Sequence, residues 1–271
     1  MEKILILGAS GFIGNALYKE LCPFFDTYGT YSSPNPVLEK NQKFFQVNFE
    51  EESPLVLLEA LRPSIIISAV RGNFDVLARM HLEMAAYVRN NDCQILFFSS
   101  ANVFDAFSNY PSYEYDKTLS MSVYGRFKIK IENALLRLPP EKYIIARLPM
   151  IYGANSPRIL EIKQNLKDKE AIEVFSNVVI NATTVFKITQ QIHYLINRKE
   201  GGVFHLGSGD LVHHNDLVLD ICRELGEEKP LLKNVYDSNF DRFLAVLPKY
   251  NPLPSNLTIS IQEVVKSSVV R

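Results

Sequence analysis

Apolar positions in the first 150 residues fall in short continuous runs rather than in strict alternation. ILIL at 4–7, IIIS at 65–68 and ILFF at 95–98 are nearly unbroken, as expected of strands covered on both faces. Strands are predicted at 3–7, 26–31, 43–47, 64–69, 94–99 and 143–147, with helices at 14–21, 54–61, 74–90 and 122–138. That alternation predicts an α/β fold, a doubly wound parallel sheet wrapped by helices on both faces. Ligands in such folds bind at the carboxyl ends of the strands, where Gly8, 69–72, 99–102 and 149–152 fall. Past Gly153 the regularity weakens; 159–169 and 184–197 read as helix, and a further helix is expected from Asn215. The chain has no internal repeat and no low-complexity segment.

Composition narrows the function classes. The 271 residues, 47% of them hydrophobic, suffice for one large unit or a domain with a smaller companion. Thirty acidic against 29 basic side chains leave a net charge of −1, with no global attraction to nucleic acid or an anionic membrane. No apolar run approaches the roughly 18 residues of a membrane span, and the chain enters a strand without a signal-peptide pattern. A cytoplasmic protein with neither nucleic-acid nor membrane partner is expected. Cys22, Cys93 and Cys222 lack metal-ligand spacing and read as reduced thiols. His81, His193 and His205 stand singly, and the adjacent His213 and His214 cannot converge on one ion, so no metal site is expected.

Two motifs carry chemistry. Gly8, Gly11 and Gly14 follow the first strand at G-x-x-G-x-x-G spacing and open a helix. A strand, a glycine turn and a helix N-terminus form a dinucleotide pyrophosphate site, in which backbone approaches the phosphates and the first helical N–H groups donate. Ser10, Phe12 and Ile13 lie inside that turn. Further on, Tyr124 and Lys128 stand four residues apart in a helical stretch, which places both on one face. A phenol beside an ammonium is a usable proton donor and acceptor near neutral pH.

These features, in this order and separation, resemble the extended short-chain dehydrogenase/reductase superfamily. Within it the chain is similar to reductases of nucleotide-activated 4-keto-6-deoxysugars, of the dTDP-4-dehydrorhamnose reductase type, and to NAD-dependent epimerases. Residues 95–105 (ILFFSSANVFD) resemble the fifth strand with its catalytic Ser/Thr segment, and 143–153 (YIIARLPMIYG) the sixth strand and its exit. Residues 203–209 (VFHLGSG) resemble a later strand, and 254–264 the C-terminal segment of the reductases.

The resemblance implies a Rossmann-type nucleotide domain of residues 1–152, to which 183–208 returns, and a small C-terminal substrate domain of 153–182 and 209–271. It implies Ser100, Tyr124 and Lys128 as the catalytic set: Tyr124 protonating a carbonyl oxygen, Ser100 orienting it, Lys128 holding the nicotinamide ribose. Thr30, Ser32 and Ser33 would meet the cofactor at the end of the second strand. No Asp or Glu stands there to accept from the ribose hydroxyls, so NADP(H) is expected over NAD(H). Asn48 and Phe49 would lie near the adenine, where the family usually has an acidic residue and a hydrophobe. Ala69 and Val70 follow the fourth strand, and Pro149 and Ile151 the sixth, at further cofactor positions. Arg71, Asn102 and Arg158 are expected at the nucleotide-sugar substrate, the two arginines as phosphate forks.

Ala101 and Asn102 replace the Asp–Glu pair of the dehydratases, which points to reduction of the keto sugar. Epimerisation through a transient ketone is the alternative, and a non-catalytic, nucleotide-binding regulatory subunit a further one. A homodimer is compatible with all three.

Overall fold

The computed structural model describes residues 2–236 and 238–269. In chain order its elements begin with β1 (Lys3–Leu7), α1 (Phe12–Leu21), β2 (Asp26–Tyr31), α2 (Pro36–Glu39) and β3 (Phe44–Gln46). There follow α3 (Pro54–Leu61), β4 (Ile65–Ser68), α4 (Phe74–Asn90), β5 (Gln94–Ser100), α5 (Val123–Leu135) and β6 (Tyr143–Leu148). Next come β7 (Met150–Tyr152), α6 (Pro157–Asp168), β8 (Ile172–Phe175), β9 (Val178–Ile180), β10 (Ala182–Thr184) and α7 (Val185–Asn197). The last are β11 (Gly202–His205), β12 (Val212–His213), α8 (His214–Glu224), β13 (Leu232–Val235), β14 (Arg242–Leu244) and α9 (Ile261–Ser267). They fall into two compact units: residues up to 99 with 123–146 and 192–203, and 100–122 with 147–191 and 204 onward.

The first unit is organised by apolar strands that have no solvent face. β1 pairs in parallel with β2 and β4, placing Leu5 beside Tyr28 and Ile66. β2 pairs with β3, and β4 with β5, within a seven-stranded parallel sheet of order β11-β6-β5-β4-β1-β2-β3. Leu5, Ile66, Ile95 and Phe97 of the sheet pack with Met84 and Val88 of α4 and with Phe127, Ile131 and Leu135 of α5. The helices start where local chemistry satisfies their free N–H groups. Asn35 caps α2, Ser53 caps α3 ahead of Pro54, and the Asn73 amide oxygen accepts from Asp75 and Val76 N–H at the start of α4. Lys142 Nζ donates to Val88 and Asn91 carbonyls at the other end of α4.

The second unit is built from strands of two to four residues in three small sheets, β10-β7, β12-β9-β14 and β13-β8. Its core gathers Tyr152, Ile159, Val174, Ile180, Leu217, Ile221 and Val264. Buried polar side chains hold its segments in place. Asn181 Nδ2 donates to the Ser208 and Val246 carbonyls at 3.0 and 2.8 Å, and its oxygen accepts Val246 N–H at 3.1 Å. Glu114, 2% exposed, accepts the N–H groups of Lys249, Tyr250 and Asn251. Arg147 donates to the Glu114 carbonyl at 2.8 Å.

Several bounds differ from the sequence expectation. α1 begins at Phe12, so Gly14 is inside the helix, and α5 stops at Leu135, ahead of Pro139 and Pro140. α8 starts at His214, one residue before the helix expected from Asn215, whereas α2, α9 and the short strands of the second unit were not expected. Residues 100–122 and 147–152, expected in the nucleotide domain, group with the second unit. Backbone pairing explains it: Ser112 N–H donates to Ala245 O, Phe243 N–H donates to Ser108 O, and β7 pairs with β10. The segment that returns to the first unit is 192–203. Among the described residues, no helix is long and apolar enough to cross a membrane, and no cluster of three His, Cys, Asp or Glu could hold a metal.

Candidate nucleotide cleft and catalytic residues

The glycine turn is shaped by contacts that a side chain would break. Gly8 has φ +77°, and a Cβ there would meet Ala69 O at 2.9 Å; at Gly14 it would meet Gly8 O at 2.2 Å. These two glycines bring the turn against the end of β4 and the start of α1 against the turn. Gly11 is different. It is exposed with an ordinary φ of −77°, and a Cβ there would meet only Gly8 O, at 3.3 Å. Gly11 also stands at the cap position of α1, and no side chain caps that helix, unlike α2, α3 and α4. The first-turn N–H groups of α1 are therefore available to an anion.

Around this turn lies a cleft of about 360 Å³ in the first unit. Gly8, Ser10, Gly11, Phe12, Ile13, Thr30, Ser32, Asn48, Phe49, Ala69, Val70 and Arg71, all named from the sequence, line it together. Gly14 and Ser33 do not. Gly14 is buried and serves the turn's packing, while Ser33 is exposed beyond the lining. Tyr31, Val47, Glu50, Asn73 and Val76 also line the cleft and were missed. Tyr31 and Val47 could have been found from their place at the ends of β2 and β3, whereas Asn73 and Val76 enter because α4 starts at the rim.

Thr30 has a structural bond beside its place in the lining. It is 1% exposed, and its hydroxyl accepts the Gly8 N–H at 2.9 Å, so it ties β2 to the glycine turn. Asn48 is exposed, and its amide oxygen accepts Glu50 N–H at 3.1 Å. The cleft therefore offers glycine backbone, uncapped helical N–H groups, small hydroxyls and an apolar wall at Phe49 and Val70. That set fits a dinucleotide.

Tyr124 and Lys128 share one face of α5 as expected. Tyr124 is 39% exposed, and Phe74 packs beside it with ring centroids 5.9 Å apart. Phe74 in turn stacks on Phe127 at 4.8 Å. Lys128 Nζ donates to the Phe98 carbonyl at 2.7 Å and lies 5.5 Å from the Tyr124 ring centroid. Burial pushes the Lys128 pKa down to about 8; Glu132 opposes the shift and the nearby Arg71 cation adds to it. Behind it, His81 is buried and kept neutral, its pKa lowered to about 3 chiefly by desolvation. Its ring bonds Ser68 Oγ and the Leu77 carbonyl, a structural role.

The other predicted residues belong to the second unit. Ser100 ends β5, and its hydroxyl accepts Asn102 N–H at 3.3 Å while donating to Asn102 Oδ1 at 2.9 Å. It thus caps the short 3₁₀ turn of Ala101–Phe104. Pro149 is buried against Gly207, and Ile151 is half-buried in β7 beside Thr183. Arg158 is exposed on the first turn of α6, with its charge acting on Tyr152 and His214.

The model of the family described as RmlD substrate binding domain matches residues 1–261. The chain belongs to that family. Among curated relatives of this RmlD-family chain, a dTDP-4-keto-6-deoxy-D-glucose reductase of Streptomyces niveus is 29% identical over 147 residues. The match covers 54% of this chain and 51% of that protein, about half its length. Methionine adenosyltransferase 2 subunit beta of Rattus norvegicus is 26% identical over 243 residues, 85% of this chain and 64% of that one.

Solved structures share the whole α/β, Rossmann-like fold. The dTDP-4-dehydrorhamnose reductase of Yersinia enterocolitica superposes with a TM-score of 0.79 at 19% identity, covering 99% of both chains. The Bacillus anthracis dTDP-4-dehydrorhamnose reductase in complex with NADP gives 0.77 at 19%, covering 99% and 98%. The dTDP-glucose 4,6-dehydratase of the same organism in complex with NAD gives 0.79 at 14%, covering 99% and 96%.

Proposed function

We propose that this RmlD-family chain is an NAD(P)-dependent reductase of a nucleotide-activated 4-keto-6-deoxysugar. The observation that carries the cofactor half is the uncapped α1 N-terminus, with Gly11 exposed at the wall of a cleft where a side chain would intrude. Family membership and the relatives named above support the substrate class. When bound, the nicotinamide cofactor supplies the hydride.

The rest is the work of this chain's residues. Tyr124 gives its hydroxyl proton to the carbonyl oxygen as the alcohol forms. Lys128, held by the Phe98 carbonyl, stabilises the negative charge left on the Tyr124 oxygen and binds the nicotinamide ribose. Ser100 hydrogen-bonds the same substrate oxygen. Its one O–H proton, donated to Asn102 Oδ1 before substrate arrives, turns from there to the substrate oxygen; no acid pair follows it, so elimination of water has no general acid–base pair at that place. For the cofactor we favour NADP(H) over NAD(H), because the end of β2 brings Ser32 and no carboxylate to the cleft. Arg158 and Asn102 are assigned to the sugar nucleotide, and the protein is placed in the cytoplasm.

The similarity to a methionine adenosyltransferase subunit favours one second reading, a nucleotide-binding subunit without turnover. A single assay separates the readings: nicotinamide absorbance followed with a panel of nucleotide 4-keto-6-deoxysugars, beside a cofactor titration. One cofactor oxidised per alcohol formed is the expected result. Conversion to an epimer at catalytic cofactor levels would make the chain an epimerase, and tight cofactor binding with no turnover on any sugar would make it a subunit.

A further inference from the structure

Arg71 sits at a place the glycine turn does not account for. It follows β4, lines the same cleft as Gly11, Phe12 and Ile13, and is exposed. Among the described residues no carboxylate pairs with it and no hydrogen bond holds it. Its charge nevertheless acts on Lys128, another cation of the same unit, and disfavours that ammonium. Glu132 opposes that effect at Lys128, but the Arg71 cation at the cleft has no carboxylate of its own among the described residues. Such a local conflict is expected where a ligand resolves it.

Rim and turn are joined by close backbone contact. The Cβ direction of Gly8 points at Ala69 O and the Val70 Cα, so the residue after Val70 emerges beside the glycine turn. The next residue, Gly72, has φ +154° and no atom within 4 Å of its Cβ position, leaving open space at the base of the arginine.

We propose that Arg71 is a cofactor-binding residue: its guanidinium clamps the dinucleotide pyrophosphate from the β4 side while the α1 N–H groups hold it from the other. The assignment rests on the dinucleotide reading of the cleft. A planar fork matches phosphate oxygens in pairs, and the anion would neutralise the cation that opposes the Lys128 charge. A substrate-only role would leave cofactor affinity untouched by Arg71, and this is where the two differ.

The test is NADPH and NADH titration of wild type, Arg71→Lys and Arg71→Met across pH, with thermal unfolding as the control for folding. Arg71 is exposed, so both variants are expected to fold. Arg71→Met should weaken both cofactors by about 10- to 100-fold, the size of a lost charge-assisted contact. Arg71→Lys, which keeps the charge but not the fork, should fall between. The groups facing Lys128 are Arg71, Glu132, His81 and Tyr124. Wild-type affinity should therefore decline above about pH 8, where Lys128 loses its proton, and in Arg71→Met the decline should move to higher pH. Affinity within twofold of wild type would overturn the proposal, as would a loss with the alkaline decline unmoved. Failure of the wild type to bind either cofactor would instead remove the dinucleotide reading itself.

Discussion

The two units keep their shape by different means. In the first, buried apolar strands and their backbone ladders do the work, and the cleft is formed from backbone: a glycine turn, a helix N-terminus and strand ends. In the second, strands are too short to stand on ladder bonds alone, and buried polar side chains such as Asn181 and Glu114 reach across 65 or more residues to hold backbone groups. A ligand that is recognised by backbone needs space where side chains would be, so the first unit is most sensitive to added atoms. A unit held by side chains is most sensitive to removed ones.

Adding atoms at Gly14 should give the largest effect. A Cβ 2.2 Å from a backbone oxygen cannot be relieved by a side-chain movement, so Gly14→Val should cost more than about 4 kcal/mol and leave little folded protein. Removing atoms at Asn181 should come next. Asn181→Ala strands two carbonyls and one N–H at a fully buried position, a loss of roughly 2–4 kcal/mol by denaturant unfolding. Nicotinamide cofactor affinity per folded molecule is expected to stay the same in that variant. The smallest effect on stability, no more than about 1 kcal/mol, belongs to Gly11→Val, where the Cβ has room. That variant should fold and lose at least roughly tenfold in NADPH affinity by fluorescence titration. Equal stability losses at Gly11 and Gly14 would erase the distinction between a glycine that serves packing and one that serves the ligand.

The same contrast governs what could be read from the sequence. Lys3–Leu7, Asp26–Tyr31, Pro54–Leu61 and Phe74–Asn90 have the bounds expected of them, because continuous apolar runs and the caps Ser53 and Asn73 are local signals. β7 to β10 and β12 to β14 are too short for any periodicity to register. Their positions depend on partners such as Asn181 and Val246, distant in sequence. Thr30 illustrates the limit inside the first unit. Its position at the end of β2 suggested a phosphate donor; its additional bond to Gly8, 22 residues away, has no local signature. Gly11 was legible as part of a phosphate turn, while the difference between it and Gly14 required the distances each Cβ would meet.

The central claim is that backbone holds the cofactor while Tyr124 carries out proton transfer, and Tyr124→Phe isolates the second half. The change keeps the ring beside Phe74 and deletes only the hydroxyl. Turnover of a nucleotide 4-keto-6-deoxysugar, followed as nicotinamide absorbance in wild type and variant side by side, should fall by about 10² to 10⁴. NADPH affinity should stay within twofold. Full turnover in the variant would contradict the account.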